Sequence, residues 1–433
     1  MAAPRSPARR PARARATAER KSFNFASLLA RAKLTSREGA KSGFVNAARR
    51  SLTVKADESQ LFGLTRRLID IPSVSGEEGE VGRFLASHLE ALGYEVTAQE
   101  IAPDRANVFA RAAGAPARVV LSTHMDTVPP FIASSEDAEF IAGRGACDAK
   151  GIIAAQIAAA ERLRAEGVSD VGLLFTVDEE LGSLGARAAD RLEAARECRF
   201  LVNGEPTDNR LAVGTKGSLR VRLRAEGRAA HSAYPEHGES AVEKLLDVFA
   251  AIRAFQWPSD PFFGETTCNI GTVRGGTRPN VVPASAEAEL QFRLVTKADE
   301  VKELLDRVVA GRARIEHLSE NDPVRLTAVE GFERVVVRFT TDIPYLKNWG
   351  APLLLGPGSI LDAHTDGERV RKGELAEAVS LYTRLVKSLL EGARGAEDLK
   401  SGGAESSTAG EAEGPRPDDA GRGLGGRAGG FSG

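Results

Sequence analysis

The stretch Val119-Val120-Leu121-Ser122-Thr123-His124-Met125-Asp126 passes directly from strand-forming residues into metal-ligand chemistry. Three further stretches repeat the pattern. Gly172-Leu173-Leu174-Phe175-Thr176-Val177 runs into Asp178-Glu179-Glu180, and Arg199-Phe200-Leu201-Val202-Asn203 into Gly204-Glu205. Pro352-Leu353-Leu354-Leu355 leads into Gly356-Pro357-Gly358-Ser359, ahead of His364. Short apolar runs bounded by polar or Gly-rich turns read as buried strands of a parallel sheet. Ligands of open α/β sheets collect outside the carboxyl ends of such strands. His124, Asp148, Glu180, Glu205 and His364 are therefore expected in one crevice, where two imidazoles and three carboxylates make the ligand set of a two-metal hydrolase.

A chain of 433 residues with 42% hydrophobic content is long enough for two domains with their own cores. No apolar run approaches the roughly 18 residues that span a bilayer, so a soluble protein without a membrane partner is expected. The net charge of −2 hides an asymmetry. Residues 1–56 carry fourteen Lys/Arg against two Glu, a net of +12, so the remainder carries −14. This basic, Ser- and Ala-rich, acid-poor segment matches an organellar transit peptide, with a disordered basic arm as the plainer reading. Basic runs favour phosphates nonspecifically, but no aromatic interleaving or recognition motif accompanies them, so no nucleic-acid partner is expected. Cys147, Cys198 and Cys268 are too few and scattered for a disulfide framework, which fits a reducing, cytoplasmic setting unless the segment directs the chain to a plastid or mitochondrion. Cys147 adjoins Asp148, but no CxxC spacing supports a thiolate ligand, and it reads as a small buried thiol.

The folded part is expected to begin near Asp57, with a helical stripe of Leu61, Leu64 and Leu68 ending before Pro72. Strand and helix patterns alternate through 57–212, as in a largely parallel α/β domain. Over 213–325 the pattern changes to β-α-β-β-α-β, a compact ferredoxin-like α+β insert. Within it Ser240 caps a helix bearing Leu245, Phe249 and Ile252 on one face. The chain returns to the first domain over 326–393, closing with an amphipathic helix that carries Leu375, Val379, Leu385 and Leu389. Residues 394–433 lack hydrophobic periodicity and read as a disordered tail.

Imidazole and carboxylate donors suit Zn²⁺, with Co²⁺ or Mn²⁺ as substitutes. Five ligands exceed a mononuclear tetrahedral site. If Asp148 bridges, each of two metals per subunit receives one His, one Glu and one Asp148 oxygen. Asp126 is placed to accept the other ring N–H of His124. Adjacent side chains in an extended segment point apart, so only one of Glu179 and Glu180 coordinates easily; the other is left as general base. Alone, Asp178-Glu179-Glu180 would read as a solvated acidic turn; its place after an apolar strand, in series with the other ligands, argues otherwise.

The motifs SerThrHisMetAspThrValPro (122–129), GlyArgGlyAlaCysAspAlaLysGly (143–151), ThrValAspGluGluLeuGly (176–182), GlyGluProThr (204–207), GlyArgAlaAlaHisSerAlaTyrPro (227–235) and GlyProGlySerIle with AlaHisThr (356–365) resemble the M20 metallopeptidase family. The resemblance runs from about Asp57 to Gly392. It implies a zinc-exopeptidase-like catalytic domain with an inserted lid that dimerises. Matched motif by motif, it places His124 and Glu205 on one metal, Glu180 and His364 on the other, Asp148 between them and Glu179 as base. It implies an oxyanion-stabilising role for His231, in many members across a subunit interface, and a substrate-carboxylate role for Asn280 and Arg293. It also implies a cis peptide between Asp148 and Ala149. One departure stands out: the family often writes Pro-Asp-Glu after the last ligand, where this chain has Thr365-Asp366-Gly367-Glu368.

The motifs look closest to the acetylornithine deacetylase and succinyl-diaminopimelate desuccinylase branch. The leading expectation is therefore deacylation of an N-acyl amino acid, with a carboxypeptidase or dipeptidase as the alternative. A non-enzymatic zinc-binding scaffold is a third reading, against which the retained Glu179 and His231 count.

Overall fold

The computed structural model describes residues 57–402, with side chains through residue 393. The basic segment 1–56 and residues 403–433 lie outside the described residues. No helix of the described residues is long and apolar enough to cross a membrane.

The large sheet is mixed, with a parallel centre. Its strands lie in the order Tyr94–Ala102, Arg105–Ala112, Val171–Thr176, Val119–His124, Phe200–Asn203, Ala351–Leu354, Leu211–Thr215 and Val324–Arg325, with Arg334–Val337 also paired to Leu211–Thr215. Val119–His124 pairs in parallel with both Val171–Thr176 and Phe200–Asn203, and Ala351–Leu354 continues this run. The motif-bearing stretches are thus the parallel centre, and their carboxyl ends share one edge.

Alternation along these strands sorts residues between two cores. Val119, Leu121, Leu173 and Phe175 join the core beneath the helices Gly79–Ala91, Lys150–Ala165 and Lys372–Gly402. Val120 and Leu174 point to the opposite face, against Ala186 of the short helix Leu184–Ala189 and against Trp349. Both faces are covered, which is why the strands read as unbroken apolar runs. The Ala-rich helix Lys150–Ala165, which begins immediately after Asp148, is buried along most of its length because it lies under the closing helix. That closing helix runs to Gly402, past Arg394 where the tail was expected.

The second sheet has the antiparallel order Thr267–Gly275, Ser285–Leu294, Gly217–Glu226, Arg314–Asn321. Helices Ala241–Ala254 and Ala298–Val309 pack on one face, and Ser240 Oγ caps the first by accepting from the Glu243 amide at 3.2 Å. Leu219, Val221, Leu223, Leu290 and Phe292 point to these helices. The intervening Arg220, Arg222 and Arg224 lie on the other face, in a ladder with Glu287, Glu289 and Glu316. A small hairpin, Ser259–Asp260 with Gly264–Glu265, was not expected from the sequence. Its Phe262 and Phe263 rings lie where a side chain at Gly214 would otherwise stand, and Arg325 stacks over Phe262 at 4.0 Å.

Trp349 tests the second core. It is fully buried, packs on Phe109 with ring centroids 5.8 Å apart, and donates Nε1–H to the Ala189 carbonyl at 3.1 Å. Trp349→Ala is expected to cost about 3–5 kcal/mol, read from the denaturant midpoint. A midpoint shifted by under about 1 kcal/mol would mean that this face contributes little.

Candidate metal centre

Asp148 stands between the two imidazoles. His124 Nε2 lies 2.9 Å from its Oδ1, and His364 Nε2 lies 3.3 Å from its Oδ2. Each carboxylate oxygen therefore faces a different ring, the arrangement a bridging ligand needs. His364 Nε2 is also 2.9 Å from Glu180 Oε1. His124, Asp148 and Glu180 offer ligand atoms all within 4.8 Å of one another. The Asp148–Ala149 peptide is cis.

Glu205 stands buried beside this group, with its Oε1 lacking any hydrogen-bond partner among the described residues. Burial pushes its carboxyl well up, and the charges of Asp148 and Glu180 add to the effect. An orphaned, buried carboxylate oxygen within reach of the His124 imidazole is the donor chemistry of a divalent metal. The field of the site agrees. Burial opposes a charge on His124, but Asp126 and Asp148 outweigh it and lift the imidazole well above its ordinary range. Hydrogen bonds to Asp148 and Glu180 push His364 up to about 10. Burial alone would raise the Asp148 carboxyl, but both imidazoles hold it well below the carboxylate range. The cluster thus favours positive charge at the ring nitrogens, and His124, His364, Asp148, Glu180 and Glu205 fit a pair of cations.

The turn that carries Glu179 and Glu180 is built by acids that do not face the metal positions. Asp126 was expected to accept the second ring N–H of His124; that nitrogen, Nδ1, lies 3.0 Å from the Asp126 main-chain oxygen and 3.5 Å from its Oδ1. The Asp126 carboxylate accepts from the amides of Glu179 at 3.0 Å and Glu180 at 3.1 Å, and from Ser75 Oγ at 2.6 Å. With the carboxylate engaged there, the carbonyl fixes the imidazole. Asp178 has a φ of +70°. Its carboxylate accepts from Arg105 at 2.9 Å, and Arg105 also holds buried Glu78. Gly185 completes the turn, because a Cβ there would meet the Val177 carbonyl at 2.4 Å. Glu179 itself is partly covered; burial raises its carboxyl well above the usual range, and Glu205 adds to that.

Glu368 was legible in sequence only as a displaced motif residue. The structure makes it the support of Asp148: Oε1 accepts from the amides of Gly145 at 2.9 Å and Asp148 at 3.2 Å, while Oε2 pairs with buried Arg144 at 2.6 Å. A second residue had no sequence signal. Asp342 is buried, accepts from Thr176 Oγ1 at 2.9 Å, and is pushed up to about 6 by burial.

The lid residues are more scattered. Arg293 lies on the sheet face away from the lid helices, 3.5 Å from Thr340 Oγ1 of the large domain and within the electrostatic reach of Glu179. Asn280 and His231 are exposed. The Asn280 carbonyl accepts from the Ser232 amide at 3.1 Å, and His231 Nδ1 accepts from the Ala233 amide at 3.1 Å. The structure brings neither into contact with the five ligands.

Residues 213–315 match the model of a peptidase dimerisation domain, and residues 107–246 match that of peptidase family M28. A peptidase M20 domain-containing protein of Schizosaccharomyces pombe is 36% identical over 337 residues, covering 75% of this chain and 84% of the relative. The chain belongs to the M20 peptidase family. A probable carboxypeptidase of Emericella nidulans is 37% identical over 386 residues, covering 77% of this M20 chain and 91% of the relative. The same fold is found in an M20 family metallo-carboxypeptidase from Sulfolobus solfataricus, with a TM-score of 0.63 at 18% identity, covering 76% and 98% of the two chains. This M20 protein is accordingly a metal-dependent hydrolase of the peptidase kind.

The raised imidazoles give a pH prediction. Below about pH 10, His364 carries a proton until a metal takes its Nε2. Metal binding should therefore release about one proton per ion at neutral pH, and affinity should rise as pH rises toward that value. Calorimetry of Zn²⁺ binding in buffers of different ionisation enthalpy reads this directly. Heats that do not depend on the buffer would contradict it.

Proposed function

We propose that this M20 protein is a two-metal exopeptidase of the carboxypeptidase type. The deacylase expectation and this reading share one chemical unit, because an acylated amino acid and a peptide C-terminus both present acyl–NH–CHR–COO⁻. The relatives named as probable carboxypeptidases favour a peptide as the acyl part. The observation that carries the reading is Arg293, a half-buried cation on the lid that reaches Thr340 and faces the field of Glu179. A half-buried guanidinium within the field of a general base suits a substrate whose carboxylate lies next to the scissile bond.

A bound pair of divalent ions supplies Lewis-acid polarisation of the scissile carbonyl and acidifies water. The residues of the chain do the rest. Arg293 orients the C-terminal carboxylate, and Asn280, which is tied to the His231 loop through the Ser232 amide, is assigned with His231 to the neighbouring site. Glu179 takes the proton of the attacking water on its carboxylate and returns it to the leaving amine nitrogen. Its raised proton affinity suits a group that must hold that proton between the two steps. Asp126 keeps Glu179 and Glu180 in register by accepting both amides.

His231 is assigned to the oxyanion through assembly. An oxyanion donor must come within about 2.7–3.1 Å of the developing charge, whereas the contacts of His231 lie within its own lid. The matched dimerisation domain supports a homodimer in which each lid offers His231 to the neighbouring site.

Two measurements test this. Zn²⁺-loaded protein should hydrolyse N-blocked dipeptides with a free C-terminal carboxylate and spare their C-terminal amides, and Arg293→Met should lower kcat/KM for the former by about 10²-fold. Equal cleavage of the amides, or N-acetyl amino acids far outpacing every peptide, would contradict the carboxypeptidase reading. Separately, Glu179→Gln and His231→Ala should each lose about 10²–10⁴-fold in rate. Mixed under subunit exchange, the two variants should regain activity, because the hybrid dimer holds one intact site. No recovery despite proven exchange would place His231 within its own subunit or outside catalysis.

A further inference from the structure

Eight large hydrophobic side chains are exposed among the described residues, and five of them cluster in sequence around the metal centre. Leu181 and Leu184 follow Glu180, Ile360 and Leu361 precede His364, and Phe131 lies seven residues beyond His124. Leu361 is 83% exposed and Leu181 74%, so neither contributes to a core. The contact between His364 Nε2 and Glu180 Oε1 at 2.9 Å draws the two leucine-bearing segments together. Arg144 ties in the third, donating to the Pro130 carbonyl at 3.3 Å and to the Thr365 carbonyl at 3.1 Å. An apolar rim thus stands beside a centre made almost wholly of charges.

Exposed apolar side chains scattered singly carry no message, but several of them on segments that meet at a chemical centre point to a binding surface. Substrate pockets are generally apolar, with a few polar groups that fix orientation. Here the charged groups sit at the ligand positions, and the apolar side chains stand exposed on the segments that carry them. We propose that Phe131, Leu181, Leu184, Ile360 and Leu361 form a lip that receives the hydrophobic side chain of a residue flanking the scissile bond. The proposal rests on the exopeptidase reading and narrows it: these residues select apolar substrates, while Arg293 selects the carboxylate. Adjacent residues of a peptide are 3.8 Å apart at Cα, so a side chain next to the reacting carbonyl lies within reach of groups that adjoin the ligands.

The test compares the Zn²⁺-loaded full chain with its Leu181→Ser/Leu361→Ser variant on N-blocked Ala–Ala, Ala–Leu, Leu–Ala and Ala–Asp dipeptides, together with N-acetyl-Leu and N-acetyl-Ala. Covering a leucine-sized side chain corresponds to about 10–100-fold in kcat/KM. The wild type should favour leucine-containing over alanine-only substrates by that ratio, and the variant should bring the ratio near one with metal content unchanged. A wild type indifferent to Leu and Ala, or a variant that keeps the full ratio, overturns the proposal. Peptides cleaved without apolar preference leave the exopeptidase reading standing and remove the lip. N-acetyl-Leu preferred over N-acetyl-Ala, with peptides untouched, does the reverse; no cleavage of any substrate removes both. Size-exclusion chromatography of the variant supplies a further check, since a changed oligomeric state would make the rim a subunit contact and overturn the proposal.

Discussion

Asp148 sits with one carboxylate oxygen toward His124 and the other toward His364, and the rest of the site is arranged around that placement. A buried carboxylate is costly unless its charge is met. Here it is met twice, by the imidazole of His124 at a strand end and by that of His364 in the turn region beyond Ala351–Leu354. The cost would be larger if the loop could drift, and Glu368 prevents this by gathering the amides of Gly145 and Asp148 onto one oxygen. Arg144 neutralises the other oxygen, so the support does not add an unpaired charge beneath the bridge. The concentration of acids around Asp148 is the electrostatic reason for metal binding, because the cluster already lifts His364 to about 10.

The fold brings three of the five ligand positions together by short turns, while Asp148 and His364 arrive on longer connections. Parallel strands deliver their carboxyl ends to one edge, and short turns after Val119–His124, Val171–Thr176 and Phe200–Asn203 present His124, the Glu179-Glu180 pair and Glu205. Secondary acids then sharpen the turns. Asp126 fixes two amides, and Asp178 with Arg105 and Glu78 closes the far side of the same turn. Gly356 permits the last strand to approach, since a Cβ there would stand 2.5 Å from the Glu205 carbonyl oxygen. The lid contributes a single cation from the face that its own helices do not use.

How much of this was legible follows from the range of each interaction. The central strands could be read because burial on both faces leaves an unbroken apolar run, a local signal. The lid order could be read because Leu219, Val221 and Leu223 alternate with Arg220, Arg222 and Arg224. The Asp126 carboxylate was read beside His124 on nearness in sequence, and it also accepts amides 53 and 54 residues away, which no spacing rule anticipates. Asp342 meets Thr176 across 166 residues and left no trace. The hairpin holding Phe262 and Phe263 is too short for a periodic pattern. Substrate preference was the least legible feature, because deacylase and carboxypeptidase chemistry act on the same bond; the relatives, and not the motifs, tilt it toward peptides.

We propose that the Asp148 carboxylate serves two metal positions, and metal content measures this most directly. Purified protein saturated with Zn²⁺ and freed of excess should retain about two ions per chain, and Asp148→Ala should lose both together. One tightly held ion at full activity, or an Asp148→Ala variant that keeps one ion at wild-type affinity, would contradict the account.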